Sequence, residues 1–390
     1  MKTMKKQKGG KKLDSGASGC IITPPITCGI NKKIGDISSL KYVSKLISED
    51  IESYGQENIK FEFEVYKILQ KIDPSQQNYI YPIDYCFLNK KSNISRHDIK
   101  NIKFVKSPYK NDEYNYDFYI DENKQIHKIS SHRKICFIDI NLKPLNIIFP
   151  YGGNSISDIF HKKKFSSYKS YYKEYFQLIF YKLLFALYKL HSNNIIHGDI
   201  KLENIVSNNP IKYESSWIYN PHDIRFIDFG MSYQVNKYYK QNIYHSQGTI
   251  IPLDIFLAKY IKNNEYSNII DNKIKELTKD FEFIKDIWNI DNIKLIQHIF
   301  HKLKNIIINH EYIDEYKNKI TGIIYKADVY SLGIAFAIYI SDLNIHIEND
   351  MRDLLFNMVN IDPWKRYNVM QCLNHSFFDK IPAQYKIIDF

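Results

Sequence analysis

Residues 197–204 read HGDIKLEN, and the spacing inside this run governs how the rest of the chain is understood. It sets Asp199, Lys201 and Asn204 at offsets of zero, two and five. A carboxylate, an ammonium group and an amide that close together can orient a hydroxyl, neutralise negative charge and hold a hard cation. The same residue types also suit an ordinary turn, because Asp, Asn and Gly favour turns wherever they occur. The flanking sequence chooses between the two readings.

Upstream, Phe176, Phe180, Leu183, Leu187 and Leu190 recur every three or four residues. That period predicts a long amphipathic helix from about residue 170 that delivers the chain into HGDIKLEN. Downstream, DIRFIDFG (223–230) reads as a short strand ending on a second acid, Asp228. Two acids, an amide and a lysine are a minimal set for holding a metal-bound nucleoside triphosphate and aligning a hydroxyl, since phosphoryl transfer depends on charge neutralisation and alignment more than on covalent help.

Length and composition bound the answer. At 390 residues the chain exceeds one compact core, so two lobes are expected. Its 44% hydrophobic and 25% charged content is that of a globular protein, while 15% aromatic, with 32 Tyr, is high. The net charge of +11 suits anionic partners or a solvated lysine surface. A nucleic-acid role would rest on that charge alone and is not expected. The opening MKTMKKQKGGKK is basic and lacks an apolar core, so residues 1–12 read as a mobile tail rather than a signal peptide. The longest apolar run, YSLGIAFAIYI (330–340), is short of the roughly 20 residues a membrane-spanning helix needs. Cys20, Cys28, Cys86, Cys136 and Cys372 are scattered, with no zinc spacing and no disulfide framework, which fits a reducing, cytoplasmic compartment.

The order of elements predicts an α+β chain. LDSGASGCI (13–21) and KYVSKLIS (41–48) supply a glycine turn and a strand, and ENIKFEFEVYKILQKI (57–72) suits a helix stopped ahead of Asp73-Pro74. YIYPIDYCFL (79–88) and KICFIDI (134–140) read as strands, with the Lys/Asn/Tyr/Asp-rich 89–134 between them as an inserted surface loop. A strand-rich small lobe (13–151) is thus followed by a helix-rich larger lobe (152–390), the latter carrying a helical insertion at about 255–325.

With these elements in place the sequence resembles the eukaryotic-type protein kinases, whose catalytic-loop pattern HRDLKxxN and metal motif DFG match HGDIKLEN and Asp228-Phe229-Gly230. The resemblance runs in order from Leu13 to Phe378 and implies a bilobal kinase-like fold with a small β-rich N-lobe and a larger α-helical C-lobe. LDSGASGCI resembles the phosphate-covering loop, keeping Gly16 and Gly19, with Ile21 at the aliphatic position under the adenine and Asp14 replacing the first glycine. YVSKLI implies that Lys45 grips the nucleotide phosphates. Glu64, 19 residues later, is taken as its glutamate partner, with Glu62 as the competing choice because one residue's slip turns a helical side chain by about 100°.

The resemblance also implies that backbone groups at Phe149 to Tyr151, in IIFPYGGNSISDIF, meet the adenine edge. It makes Asp199 the base, places Lys201 beside the transferred phosphoryl, and has Asn204 and Asp228 bind Mg2+ on ATP. Thr249, in Gly248-Thr249, would bond Lys201 and Asp199. Asp328 in KADVYSLGIAFA would brace the catalytic loop through its backbone amides, and Asp254 would pair with Arg366. Gly198 stands where the family has an arginine that reads a phosphate on the activation segment, which argues against that form of switching. Lys201 two residues after Asp199 is the Ser/Thr-kinase form of the loop, implying protein substrates that bear Ser or Thr.

Two other readings stay open. HGD also begins the catalytic loop of aminoglycoside- and choline-type kinases, and the altered glycine loop leaves room for a pseudokinase scaffold. PPITCG (24–29) and YVSKLI further resemble kinases of giant viruses and asfarviruses, which would place the protein in host cytoplasm or virion.

Overall fold

The β-branched and aromatic run Tyr42–Ile47 forms the central strand, β3, of a five-stranded antiparallel sheet. Its neighbours are β2 (Gly19–Thr23), flanked in turn by β1 (Lys11–Gly16), and β9 (Leu145–Pro150), flanked by β4 (Asp84–Phe87). The register sets Lys45 opposite Ile21 on one side and Ile147 on the other, and Lys45 is 9% exposed. β1 begins at Lys11, two residues inside the stretch read as a tail. A second, buried tie binds this sheet: the Ser44 hydroxyl accepts from Ile26 N–H at 2.8 Å, and Asn146 Nδ2 donates to the Ile26 carbonyl at 2.7 Å.

The computed structural model describes residues 11–16, 19–23, 25–26, 41–47, 56–88, 102–105, 118–120, 126–128, 136–139, 144–213, 216–218, 220, 224–235, 252–262, 293–308 and 318–386. The remainder of the basic tail, most of PPITCG and the Gly248-Thr249 pair lie outside them. The chain divides into two units, one of 1–60 with 80–151, the other of 61–79 with 152–390.

Two expectations for the first unit need correction. The insertion 89–134 carries strands, not loop alone: β5 (Ile102–Val105) pairs in parallel with β8 (Cys136–Asp139), and β6 (Phe118–Ile120) pairs with β7 (Ile126–Lys128) in a short antiparallel ladder. Aliphatic and aromatic residues at alternate positions are enough to make such short ladders amid polar sequence. Cys86, in β4, is disulfide-bonded, contrary to the absence of a disulfide framework read from its spacing.

The second unit takes in Phe61–Tyr79, which is most of helix α1 (Gln56–Ile72) and the connection after it. Hydrogen bonds within the unit account for this. The α1 helix stops at Asp73, whose carboxylate accepts from the N–H groups of Gln77, Asn78 and Tyr79, an acid-anchored turn ahead of an extended segment. That segment is then held by β15 (Ile224–Phe226): Phe226 N–H donates to the Asn78 carbonyl at 2.9 Å, and Tyr79 pairs with Phe226.

Helix α4 (Phe176–Ser192) forms where the sequence predicts a long helix, with Ile179, Phe180, Leu184, Leu187 and Leu190 fully buried. It is preceded by α2 (Ile156–His161), capped by the Ser155 hydroxyl, and α3 (Lys169–Glu174). Within or beside the stretch expected as a helical insertion, the described residues form α5 (Leu253–Lys262) and α6 (Ile293–Ile308). It is no peripheral ornament. Leu257, Ile299 and Leu303 join one apolar cluster with Ile196, just before the HGDIKLEN loop, and Tyr233, just after the Asp228 turn. Helix α7 (Tyr325–Asp342) is buried along most of its circumference; Phe336 stacks on Phe180 of α4, and a Cβ at Gly333 would meet Val359 Cγ1 at 2.8 Å. Among the described residues no helix is long and apolar enough to cross a membrane.

One buried cation tightens the join between α4 and the segment after α1. Lys182 is 4% exposed and donates to Asn78 Oδ1 at 2.6 Å. Burial, only partly offset by the Asp73 carboxylate, lowers its pKa from 10.5 to about 8. Between those values the unfolded chain keeps a proton that the folded one has released. The penalty of the buried charge is therefore complete below about pH 8, and stability rises from there to about pH 10.5. Lys182→Met removes that contribution: the stability difference between wild type and variant should move in favour of wild type by about 3 kcal/mol across this window, read from denaturant melts at both ends.

Candidate active site

The HGDIKLEN loop and the Asp228-Phe229-Gly230 turn are brought face to face by two strand ladders. The loop runs from β11 (Ile195–Ile196) to β12 (Ile205–Ser207), and the turn runs from β15 to β16 (Tyr233–Gln234). Because β11 pairs with β16 and β12 with β15, both ends of each segment are tied to the ends of the other. Ile227 N–H donates to the Asn204 carbonyl at 3.0 Å, closing the gap between them.

Inside the loop the three residues singled out by spacing converge. Lys201 Nζ donates to Asp199 Oδ2 at 2.7 Å, and Asn204 Nδ2 donates to the same oxygen and to the Asp199 carbonyl, each at 2.8 Å. Asp199 retains 10% and Lys201 25% side-chain exposure, so the pair is dry enough for charge to matter and open enough to meet a substrate. A turn-forming role alone would not gather both donors on one carboxylate oxygen.

The loop backbone is braced from below by Asp328, 2% exposed on α7. Its Oδ2 accepts from His197 N–H at 2.8 Å and lies 3.2 Å from His191 Nε2, while Oδ1 accepts from Gly198 N–H at 3.0 Å. These are the backbone amide bonds expected for this residue. His197 completes the frame. Asp199 N–H donates to its Nδ1 at 3.3 Å, which assigns the proton to Nε2, 3.2 Å from the Ile227 carbonyl. Burial pushes the His197 imidazole below its ordinary pKa, favouring this neutral, bridging form.

Gly198 has a local explanation. Its φ is +77°, and a Cβ there would lie 2.6 Å from the Met231 carbonyl oxygen, so no side chain fits between loop and turn. The residue the family resemblance expects, arginine, is excluded by this close approach.

On the turn, Asp228 adopts a left-handed conformation at φ 61°, and Phe229 is fully buried. The Phe229 ring packs edge-on against Tyr66 of α1 at 6.3 Å and Tyr79 at 5.9 Å, and tilted against His197 at 4.8 Å. Of the two acids weighed on α1, Glu62 lies beside the turn. It is 6% exposed, and its Oε2 sits 3.7 Å from the position a Gly230 Cβ would take, with Asp228 Oδ1 at 3.5 Å from the same point. Glu64, preferred from sequence, is half-buried two residues along the helix. Helical pitch puts the two acids on different faces, so the one beside the turn is Glu62.

The other predicted residues fall as follows. Lys45 is buried mid-sheet in the first unit, where Gly16 and Gly19 pair across the β1–β2 hairpin and Ile21 is half-buried. Of the hinge groups, Phe149 pairs with Val43, and Tyr151 N–H already donates to the Lys41 carbonyl at 2.7 Å, so that amide is not directed at a ligand. Asp254 and Arg366 form the expected ion pair, fully buried, with Nη2 to Oδ1 at 2.5 Å and Nη1 to Oδ2 at 3.4 Å.

A divalent cation carried by a triphosphate suits the donor set. Asn204 uses both amide hydrogens on Asp199, so only its Oδ1 remains of the type a cation would take, and Asp228 adds a carboxylate. Among the described residues no three His, Cys, Asp or Glu gather as a protein cage. Magnesium that arrives with phosphates needs one or two protein oxygens, not a cage.

Residues 86–251 match the family model of the protein kinase domain. The matched segment contains the HGDIKLEN loop and the Asp228 turn, spans less than half of the chain, and supports a place in the protein kinase family and phosphotransfer by a kinase. With a β-rich small unit and a larger helical one, the fold is the protein-kinase-like α+β fold. No curated protein matches the chain.

Gly198→Ala should lose more than about 1 kcal/mol of stability from left-handed strain alone, with the contact at Met231 adding to it. A chemical denaturation midpoint equal to wild type would show that the loop does not need this conformation.

Proposed function

We propose that the protein is an ATP- and Mg2+-dependent protein kinase acting on Ser and Thr hydroxyls. The observation that carries the reading is the Asp199 carboxylate, held by Lys201 and Asn204 on a loop whose backbone Asp328 pins. Both bonds fall on Oδ2, so Oδ1 is the oxygen presented to an incoming hydroxyl. There it takes the hydroxyl proton as the substrate oxygen bonds to the γ-phosphorus and the bond to the ADP oxygen breaks. The Lys201 ammonium, already paired with Asp199, offsets the charge spreading over the transferred group. Asn204 Oδ1 and Asp228 would hold a magnesium ion, which would neutralise the phosphates when bound. In this reading Lys45 would supply the cation for the non-transferred phosphates, and Gly16, Gly19 and Ile21 would contact the nucleotide.

The closure at Gly198 bears on regulation. An arginine cannot stand beside Asp199 here, so activity should need no phosphate on the activation segment. Phosphatase-treated protein is expected to keep its turnover; abolition would contradict this.

Purified protein with labelled Mg-ATP should label Ser- and Thr-bearing substrates in preference to tyrosine peptides and small alcohols. Asp199→Asn and Asp228→Ala should each lower the rate by roughly 10²- to 10⁴-fold while melting cooperatively. Near-wild-type rates in either would refute the assignment. A nucleotide-induced thermal shift without transfer would point to a binding module instead, and transfer confined to alcohols to a small-molecule kinase.

A further inference from the structure

The role of Glu62 leaves one interaction unexplained, and it lies on the same helix face. Tyr66 stands four residues after Glu62 on α1, one turn along, and its hydroxyl donates to Glu62 Oε1. The bond is buried: Tyr66 is 4% exposed and Glu62 6%. Burial and the Glu62 and Asp228 charges hold the phenol far above its ordinary pKa, so it stays a donor. Its ring is fixed as well, wedged edge-on between Phe63 at 5.8 Å and Phe229 at 6.3 Å. A side chain needed only to fill the space against Phe229 could be aliphatic. A hydroxyl in that apolar place is costly to bury unless it has a partner, and the partner it has is the carboxylate beside Asp228.

We propose that Tyr66 is a positioning residue for phosphoryl transfer, its hydroxyl holding the Glu62 carboxylate against the Asp228-Phe229-Gly230 turn. A carboxylate on a long side chain has several rotamers open to it; a charge-assisted bond from a ring locked between two others selects one. Glu62 is thereby kept beside the acid that holds the nucleotide's metal. Tyr66 itself touches neither substrate nor nucleotide and acts only through Glu62. The inference rests on the kinase reading above and adds a determinant of nucleotide affinity to it.

Tyr66→Phe tests it, since the ring and its contacts with Phe63 and Phe229 remain and only the hydroxyl goes. The variant should melt as wild type does and show a KM for Mg-ATP raised roughly ten-fold, the scale of one lost charge-assisted bond, with the KM for the protein substrate unchanged. A merely structural loss would lower the active fraction, and with it kcat, leaving both KM values alone. Glu62→Gln approaches the same bond from its acceptor and should show the same split; it carries the test should Tyr66→Phe fold poorly. A wild-type KM for Mg-ATP in whichever variant folds overturns the proposal while the kinase reading stands. Wild-type protein that transfers no phosphate removes the kinase reading itself, and the inference with it.

Discussion

The buried carboxylate of Asp328 is the constraint on which the candidate site depends. It meets His197 N–H, Gly198 N–H and the His191 ring, three partners around a group 2% exposed. A charge that deep is tolerable only when fully hydrogen-bonded, so the requirement runs both ways. The loop needs Asp328 to hold its backbone, and Asp328 needs the loop's amides to remain where it is. Helix α7 gives the carboxylate its fixed origin, since aromatic stacking on α4 and close packing at Gly333 leave the helix little room to shift.

From that origin the geometry passes outward through short, strong links. His197 and Gly198 are held by their amides, and the Gly198 conformation brings the loop against the Met231 carbonyl. The His197 ring bridges to the Ile227 carbonyl and packs on Phe229. Phe229 meets Tyr66, and Tyr66 holds Glu62. These contacts tie the Phe61–Tyr79 stretch to the catalytic loop, which explains why it clusters with the later part of the chain although it lies within the earlier part of the sequence. Lys182 and Asp73 supply the polar half of that attachment.

The helical insertion is part of this economy of support. Its apolar faces share a cluster with Ile196 and Tyr233, which pair with each other across the β11–β16 ladder. Nearby, Lys302 lies over the Trp364 ring at 3.8 Å, and the buried Asp254–Arg366 pair fixes the start of α5 to the segment after α8 (Asn349–Met358). An element that reads as an addition in the sequence is, in the folded chain, a wall behind the loop.

Local chemistry alone determined much of this protein. The three- and four-residue apolar period fixed α4, alternation gave β3, and the offsets within HGDIKLEN already named Asp199, Lys201 and Asn204, because short spacings translate into short distances within one turn. Pairings carried by the family resemblance, Asp328 to the loop and Asp254 to Arg366, were also legible. Only the tertiary structure set Glu62 beside the Asp228 turn, since two acids two residues apart look alike until the helix is set against a partner. It alone exposed Tyr66 and Lys182, whose importance comes from burial beside groups far away in sequence, and the strand ladders hidden in 89–134. The division has one physical cause: spacing along the chain is encoded residue by residue, whereas which face of an element is buried is settled by what packs against it.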